Sequence, residues 1–262
     1  MIIVGERING MFKDMRKAIA KKDKKPVQEL ALKQLKAGAD YLDVNVGTAS
    51  AEPEDAMVWL VETVREATDA PIAIDSPRMA VMKAGIEACE GRLMINSTTG
   101  KQAELDALLP LAAEKDADIV GVTIDENGVP TDVDGRIAIA MNIITAAMEH
   151  GISPDKLFID PVILPVSADQ KQPVFVLEAL RQFPMLSDPA PKSLVGLSNI
   201  SQSASERSLI NRTYLVMGVA AGLNAAILDP LDTELVNAMI TAEVLMNRSI
   251  YSDGFLKAYR AK

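Results

Sequence analysis

The sequence is poor in the side chains that carry most metal and thiol chemistry. Of 262 residues one is histidine, His150, and one is cysteine, Cys89. A single thiol excludes an internal disulfide framework and suits a reducing compartment, so a cytoplasmic protein is expected. The same shortage leaves no set of nitrogen and sulfur ligands for zinc, so a zinc site is not expected. His150 directly precedes Gly151 at the end of a helical pattern, where a cation caps the last carbonyls. Cys89 stands near Glu87 and Glu90, which provide no electropositive setting for a reactive thiolate, so it reads as packing. Aromatic residues are only 4% of the chain, too few to wall a sugar site beside paired carboxylates. No apolar run is long enough to span a membrane, and "MIIVGERING" lacks the regions of a secretory signal. With a formal net charge of −9, a polyanionic partner such as nucleic acid or an anionic membrane is disfavoured.

What the chain does have is apolar substance, 48% hydrophobic residues, in a regular order. Short apolar runs occupy residues 2–7, 41–47, 72–76, 92–98, 118–125, 157–165, 193–200 and 225–230. Between them lie stretches such as "PVQELALKQLKAGA" and "RIAIAMNIITAAMEHG", with apolar residues at three- and four-residue spacings. Pro26 and Pro173 sit near helix starts, and Gly38 and Gly151 where helices should stop. Eight strand–helix units in this length predict a closed (β/α)8 TIM barrel. The rival, an open doubly wound sheet, usually shows a Gly-rich first turn, and "VGERINGMF" is not that fingerprint. No linker composition interrupts the chain, so residues 1–262 are expected to form a single domain. Residues 9–25, "NGMFKDMRKAIAKKDKK", read as a basic insertion before the first main helix, with a solvated charged face.

In such a barrel the site lies at the C-terminal ends of the strands. Those ends carry Glu6, Arg7 and Asn9; Asp43 and Asn45, two apart and so on one face; Asp75 and Ser76; Asn96, Ser97 and Thr98; Thr123 and Asp125; Asp160; Ser198 and Asn199; and Asp229. Helix capping or turn formation accounts for Asp125 and Asp229. It does not readily account for Asp43, Asn45, Asp75, Asn96, Asp160 and Asn199 together. No Gly-rich or basic turn follows strands seven and eight, which disfavours a phosphate ligand. A hard cation such as magnesium remains compatible with the carboxylates. So does a flat nitrogen heterocycle. A carboxylate accepts side-by-side bonds from an amino group and a ring N–H, and a carboxamide meets ring nitrogen and carbonyl, which describes the edge of a pterin.

The blocks "VGERING", "GADYLDVNVG", "AIDSPRMAVMKAG", "MINSTTG", "FIDPVILP" and "GLSNISQ…R…LINRTYL" together resemble the methyltetrahydrofolate:corrinoid protein methyltransferases, pterin-binding barrels, end to end and in order. The resemblance implies transfer of the N5 methyl group between methyltetrahydrofolate and the cobalt of a corrinoid (cobalamin) carried by a partner protein. It implies a homodimer. It also implies that Asp75, Asn96 and Asp160 hold the pterin, that Asn199 bonds at N5 as the catalytic residue, and that Gly196, Ser198, Gln202 and Arg207 continue the folate site. Dihydropteroate synthases of the same barrel class carry a lysine where this chain has Ser198-Asn199. A dihydropteroate synthase-like enzyme and a non-catalytic folate-binding subunit are the alternatives.

Overall fold

Each apolar run forms a strand, and each stretch of helical spacing folds back along the outside. In the computed structural model, which describes residues 1–260, the strands are β1 (Ile2–Asn9), β2 (Tyr41–Asn45), β3 (Ile72–Asp75), β4 (Leu93–Thr99), β5 (Asp118–Val122), β6 (Leu157–Asp160), β7 (Lys192–Gly196) and β8 (Ala225–Leu228). They pair in parallel in sequence order, and β8 closes onto β1, the (β/α)8 barrel expected from the alternation. After β1 come two helices, α1 (Lys13–Lys21) and α2 (Lys24–Lys36). One helix then follows each strand: α3 (Pro53–Arg65), α4 (Met79–Ala88), α5 (Gln102–Glu114), α6 (Val133–Glu149), α7 (Gln172–Gln182), α8 (Arg207–Ala221) and α9 (Thr233–Leu245). A short α10 (Phe255–Arg260) comes last. Gly38 and Gly151 take positive φ just beyond α2 and α6, and His150 is the exposed C-cap of α6.

Two cores result from the strand period of two. Outward residues such as Ile3, Leu42, Ile72, Ile95 and Ile159 pack under the helices. Inward residues fill the barrel itself: Val4, Tyr41, Ala73, Met94, Val120, Phe158, Leu194 and Ala225, one from each strand. Complete burial of the larger of these, such as Val4, Met94 and Phe158, contributes about 1.5–3 kcal/mol each. Two residues further along, the inward positions read Glu6, Asp43, Asp75, Asn96, Val122, Asp160, Gly196 and Ile227. The interior therefore turns from apolar to polar within one pleat, and this step defines the mouth.

Several boundaries differ from those expected. β6 stops at Asp160 rather than running to residue 165, because Pro161 has no N–H to pair and Val162 adopts φ 63°, a left-handed conformation that ends the strand. β5 stops at Val122, after which the Thr123 N–H and hydroxyl both donate to the Asp160 carbonyl. β7 stops at Gly196, and the chain tightens into a 3-10 turn, Leu197–Ser201, that lifts Ser198 and Asn199 off the sheet. The basic stretch of residues 9–25 contains a helix of its own: Met15, Ala18 and Ile19 bury one face of α1, and Lys13, Lys17 and Lys21 are exposed as expected.

The β1–α1 turn has little freedom. A Cβ built on Gly10 would lie 1.9 Å from the Val46 carbonyl oxygen, beside the mouth. Gly10→Ala must displace that backbone, and urea titration should show a loss of about 1–3 kcal/mol; unchanged stability would mean the two turns are not in contact.

Candidate active site

Among the described residues, side-chain caps at helix starts come from Asp132 on α6 and Asp232 on α9, not from the strand-end carboxylates. Asp125 and Asp229 do form local turns, accepting from the N–H groups of Asn127 at 2.8 Å and Leu231 at 2.9 Å. The inward groups instead pair with one another around the mouth. Asn45 Nδ2 donates to Asp75 Oδ2 at 2.6 Å, and Asn96 Nδ2 donates to Asp43 Oδ1 at 3.0 Å. Ser198 Oγ lies 2.8 and 3.0 Å from the two Glu6 oxygens, joining the β7 turn to β1. Asp160 accepts from Val162 N–H at 2.7 Å and from the Gly196 N–H.

This arrangement concentrates buried acid. Burial raises the Glu6 carboxyl above its ordinary range, against the hydrogen bond from Ser198. Burial, then the neighbouring Asp75 charge, raises Asp43 further. Asp75 is pushed up to about 6 by burial, opposed by the Asn45 amide. Asp160 also reaches about 6 by burial, opposed by the two backbone N–H groups and by the charge of Arg136. These acceptors are short of donors, and a ligand edged with N–H groups would relieve the desolvation that raises them.

The residues of the predicted site fall into two groups. Asp75, Asn96, Asp160, Gly196 and Ser198 line or abut the polar mouth. Asn199, Gln202 and Arg207 are exposed at its edge. Asn199 Nδ2 sits 3.0 Å from where a Gly196 Cβ would be, so glycine makes room for this amide. Among the described residues the Asn199 side chain has no hydrogen-bond partner, which leaves it able to turn. Arg207 reaches back, donating to Ser201 Oγ at 3.2 Å and the Ser198 carbonyl at 3.4 Å, and so steadies the turn. Gln202 meets Ser167 through its backbone carbonyl, not its side chain. A cavity of about 460 Å³ extends from Asp75 between β3 and β5, lined by Ser97, Thr99, Val122 and the methionines Met79 and Met82.

Four residues of this region lie outside the set that the family resemblance implies. Asp43 and Asn45, on one face of β2, are among the strand-end groups that capping does not account for in the sequence, and Glu6 is visible there as a polar strand end. Arg136 does not stand out there. Its one signal is its place in the row Arg136, Ile139, Ala140 and Ile143, which is the buried face of α6. Among the described residues no group of three or more His, Cys, Asp or Glu side chains is placed to hold a metal ion. None of the helices there is long and apolar enough to cross a membrane.

A closed barrel whose mouth gathers carboxylates and carboxamides offers the acceptors that a flat ring with several N–H donors along one edge would need. The chain belongs to the pterin binding enzyme family, which residues 9–229 match. It is similar to a methylcorrinoid:tetrahydrofolate methyltransferase of Eubacterium limosum, 29% identical over 99% of this chain and 96% of that protein. It is also 28% identical to a methionine synthase of Mycobacterium leprae, covering 87% of this chain but only 20% of that longer enzyme. Among solved structures, a dihydropteroate synthase of Coxiella burnetii in complex with pteroic acid superposes with a TM-score of 0.71. That match covers 95% of this chain and 94% of that one at 16% identity. A Yersinia pestis dihydropteroate synthase gives 0.68, covering 94% of each chain at 17% identity. At such identities the shared property is the fold.

Proposed function

We propose that the chain is a methyltransferase that moves the N5 methyl group between methyltetrahydrofolate and the cobalt of a corrinoid carried by a partner protein. The observation that carries this reading is the pairing of an acceptor-rich mouth with a neutral turn. Asp75, Asn96 and Asp160 offer acceptors and an amide to the 2-amino-4-oxopyrimidine edge of a pterin. Ser198 and Asn199 then present neutral groups where the synthases of this fold class carry a lysine. The length-wide similarity to the Eubacterium limosum enzyme supports the same chemistry.

The protein needs no nucleophile of its own in this reaction, because cobalt(I) is the attacking atom and arrives with the partner. Its task lies at the other end of the breaking bond. N5 of the folate is a weakly basic amine and leaves well only as it gains positive charge. The Asn199 amide, held by the turn after β7 but free to rotate, accepts from a protonated N5 or donates to a neutral one. Interaction that grows as charge develops lowers the barrier. A carboxylate there would hold the proton, or a metal, already in the ground state.

The reading extends to a homodimer in the cytoplasm, with the partner's corrinoid approaching the open mouth. Mixing the protein with methyltetrahydrofolate and free cob(I)alamin should yield methylcobalamin. A pterin pyrophosphate with p-aminobenzoate should yield no product, and the reverse pattern would make the chain a synthase. Turnover should also survive dialysis against a strong chelator. Loss of activity that zinc or magnesium restores would replace the metal-free mechanism with one using the mouth carboxylates as ligands.

A further inference from the structure

Arg136 is the largest fully buried side chain, with 0% exposure, and it projects from α6 beneath the turn that follows β6. Its Nε donates to the Pro161 carbonyl at 2.7 Å, one NH2 group to Gln172 Oε1 at 2.6 Å, and the other to the Asp132 carbonyl at 2.8 Å. All three partners are neutral oxygens. Among the described residues Arg136 forms no salt bridge.

A buried guanidinium keeps its charge at any working pH, and burial without an anion in contact is unfavourable. A stitch between α6, α7 and the loop explains the hydrogen bonds to Asp132 and Gln172 but does not require a charge. The charge is explained by what stands on the other side of the turn. Pro161 directly follows Asp160, and the Val162 N–H, at φ 63°, donates to Asp160 Oδ1. The guanidinium holds the outer side of this strained turn while the carboxylate holds the inner side.

We propose that Arg136 is a positioning residue for pterin recognition, fixing the Asp160-Pro161-Val162 turn from behind and supplying the positive charge that keeps Asp160 an acceptor. The inference rests on the reading of Asp160 as a pterin anchor. The titratable groups whose charge is coupled to Asp160 are Arg136 from α6 and Tyr214 from α8, while Glu6 of β1, Asp43 of β2 and Asp75 of β3 share the mouth with it. Tyr214 donates to the Pro173 carbonyl, and burial pushes its own pKa upward, so it stays neutral across the range concerned. Arg136 in turn faces Asp132 and Tyr214 besides Asp160. Asp132 is exposed and caps α6, so removing the guanidinium leaves its setting nearly unchanged. Asp160 is the group that responds.

The test is calorimetric titration with tetrahydrofolate from pH 5.5 to 8.5, using the full chain. Affinity of the parent should rise with pH as the two anchors raised to about 6, Asp75 and Asp160, ionise, and the part of the rise that is lost in Asp160→Asn belongs to Asp160. Arg136→Met should move the midpoint of that part upward by about one pH unit, weakening binding by up to about tenfold at the acid end of the range, about twofold near pH 7 and hardly at all at the alkaline end. Arg136→Lys should leave the midpoint in place yet still weaken binding, because a lysine cannot hold the carbonyls as a fork. In an Asp160→Asn background either substitution should cost little more, since both act through the same carboxylate. A structural stitch alone would lower stability while leaving the midpoint unmoved. An unmoved midpoint in Arg136→Met, or losses that add in the Asp160→Asn background, would overturn the proposal. Should Arg136→Met fail to fold, parent-like affinity in Arg136→Lys or additivity in its double variant does so instead. A parent that binds no tetrahydrofolate at any pH overturns the reading of the site, and the proposal with it.

Discussion

Asn199→Ala should slow single-turnover methyl transfer by about 10²–10³ at saturating folate, the scale of losing one oriented group at a site of developing charge. The turn Leu197–Ser201 is braced without this side chain: Ser198 binds Glu6, Arg207 binds Ser201 and the Ser198 carbonyl, and Ile200 is buried. The exposed amide can therefore be removed without unfolding the turn. Folate affinity should fall less than the rate, because a bond at N5 exists before transfer but strengthens during it. Measuring at saturation separates the two effects. A folded variant that binds folate and transfers methyl at the parent rate would reduce Asn199 to an ordinary surface residue.

Asp75→Asn should move stability and function in opposite directions. The raised pKa of Asp75 means that the folded protein binds more protons than the unfolded chain between the ordinary 3.8 and about 6. For an acid shifted upward, stability falls as pH rises through that window. At pH 7.5 the ionised Asp75 therefore costs the empty fold about 1–3 kcal/mol through its burial, and its charge also raises the neighbouring Asp43. The asparagine retains one oxygen for the Asn45 amide and removes the charge. Its Tm at pH 7.5 should exceed the parent's by a few degrees, with the difference closing toward pH 4. Folate binding should weaken by about 1–3 kcal/mol, since an amide N–H now faces N–H donors on the ring. A variant no more stable than the parent at pH 7.5 would contradict the electrostatics. One that binds folate equally well would contradict the pterin pose.

That opposition also explains why part of the site is legible in the sequence. A carboxylate at the end of an apolar strand, such as Asp75 in "IAIDS" or Asp160 in "FIDP", breaks the pattern of its own element and so marks itself. The barrel follows from the strict alternation of strand and helix patterns, since periodicity is what drives those elements to form. Strand ends are less legible. Nothing in "GLSNIS" signals that β7 yields to a 3-10 turn at Leu197, because the turn is held by Ser198 reaching Glu6, 192 residues away in the chain. The pairing of Asn45 with Asp75 and of Asn96 with Asp43 is likewise a product of barrel closure. Arg136 is hidden for a different reason. An arginine among helical isoleucines is usually read as solvated, and only the loop after β6 reveals what it holds.

The reading as a whole stands on where a methyl group goes. The direct measurement is a single turnover with folate carrying a labelled N5 methyl group and one equivalent of cob(I)alamin, following the label with parent and Asn199→Ala protein. The account predicts label on cobalt and demethylated tetrahydrofolate in equal amounts with the parent, and the same products formed far more slowly with the variant. Label that stays on the folate, although the parent has bound it, would contradict the account.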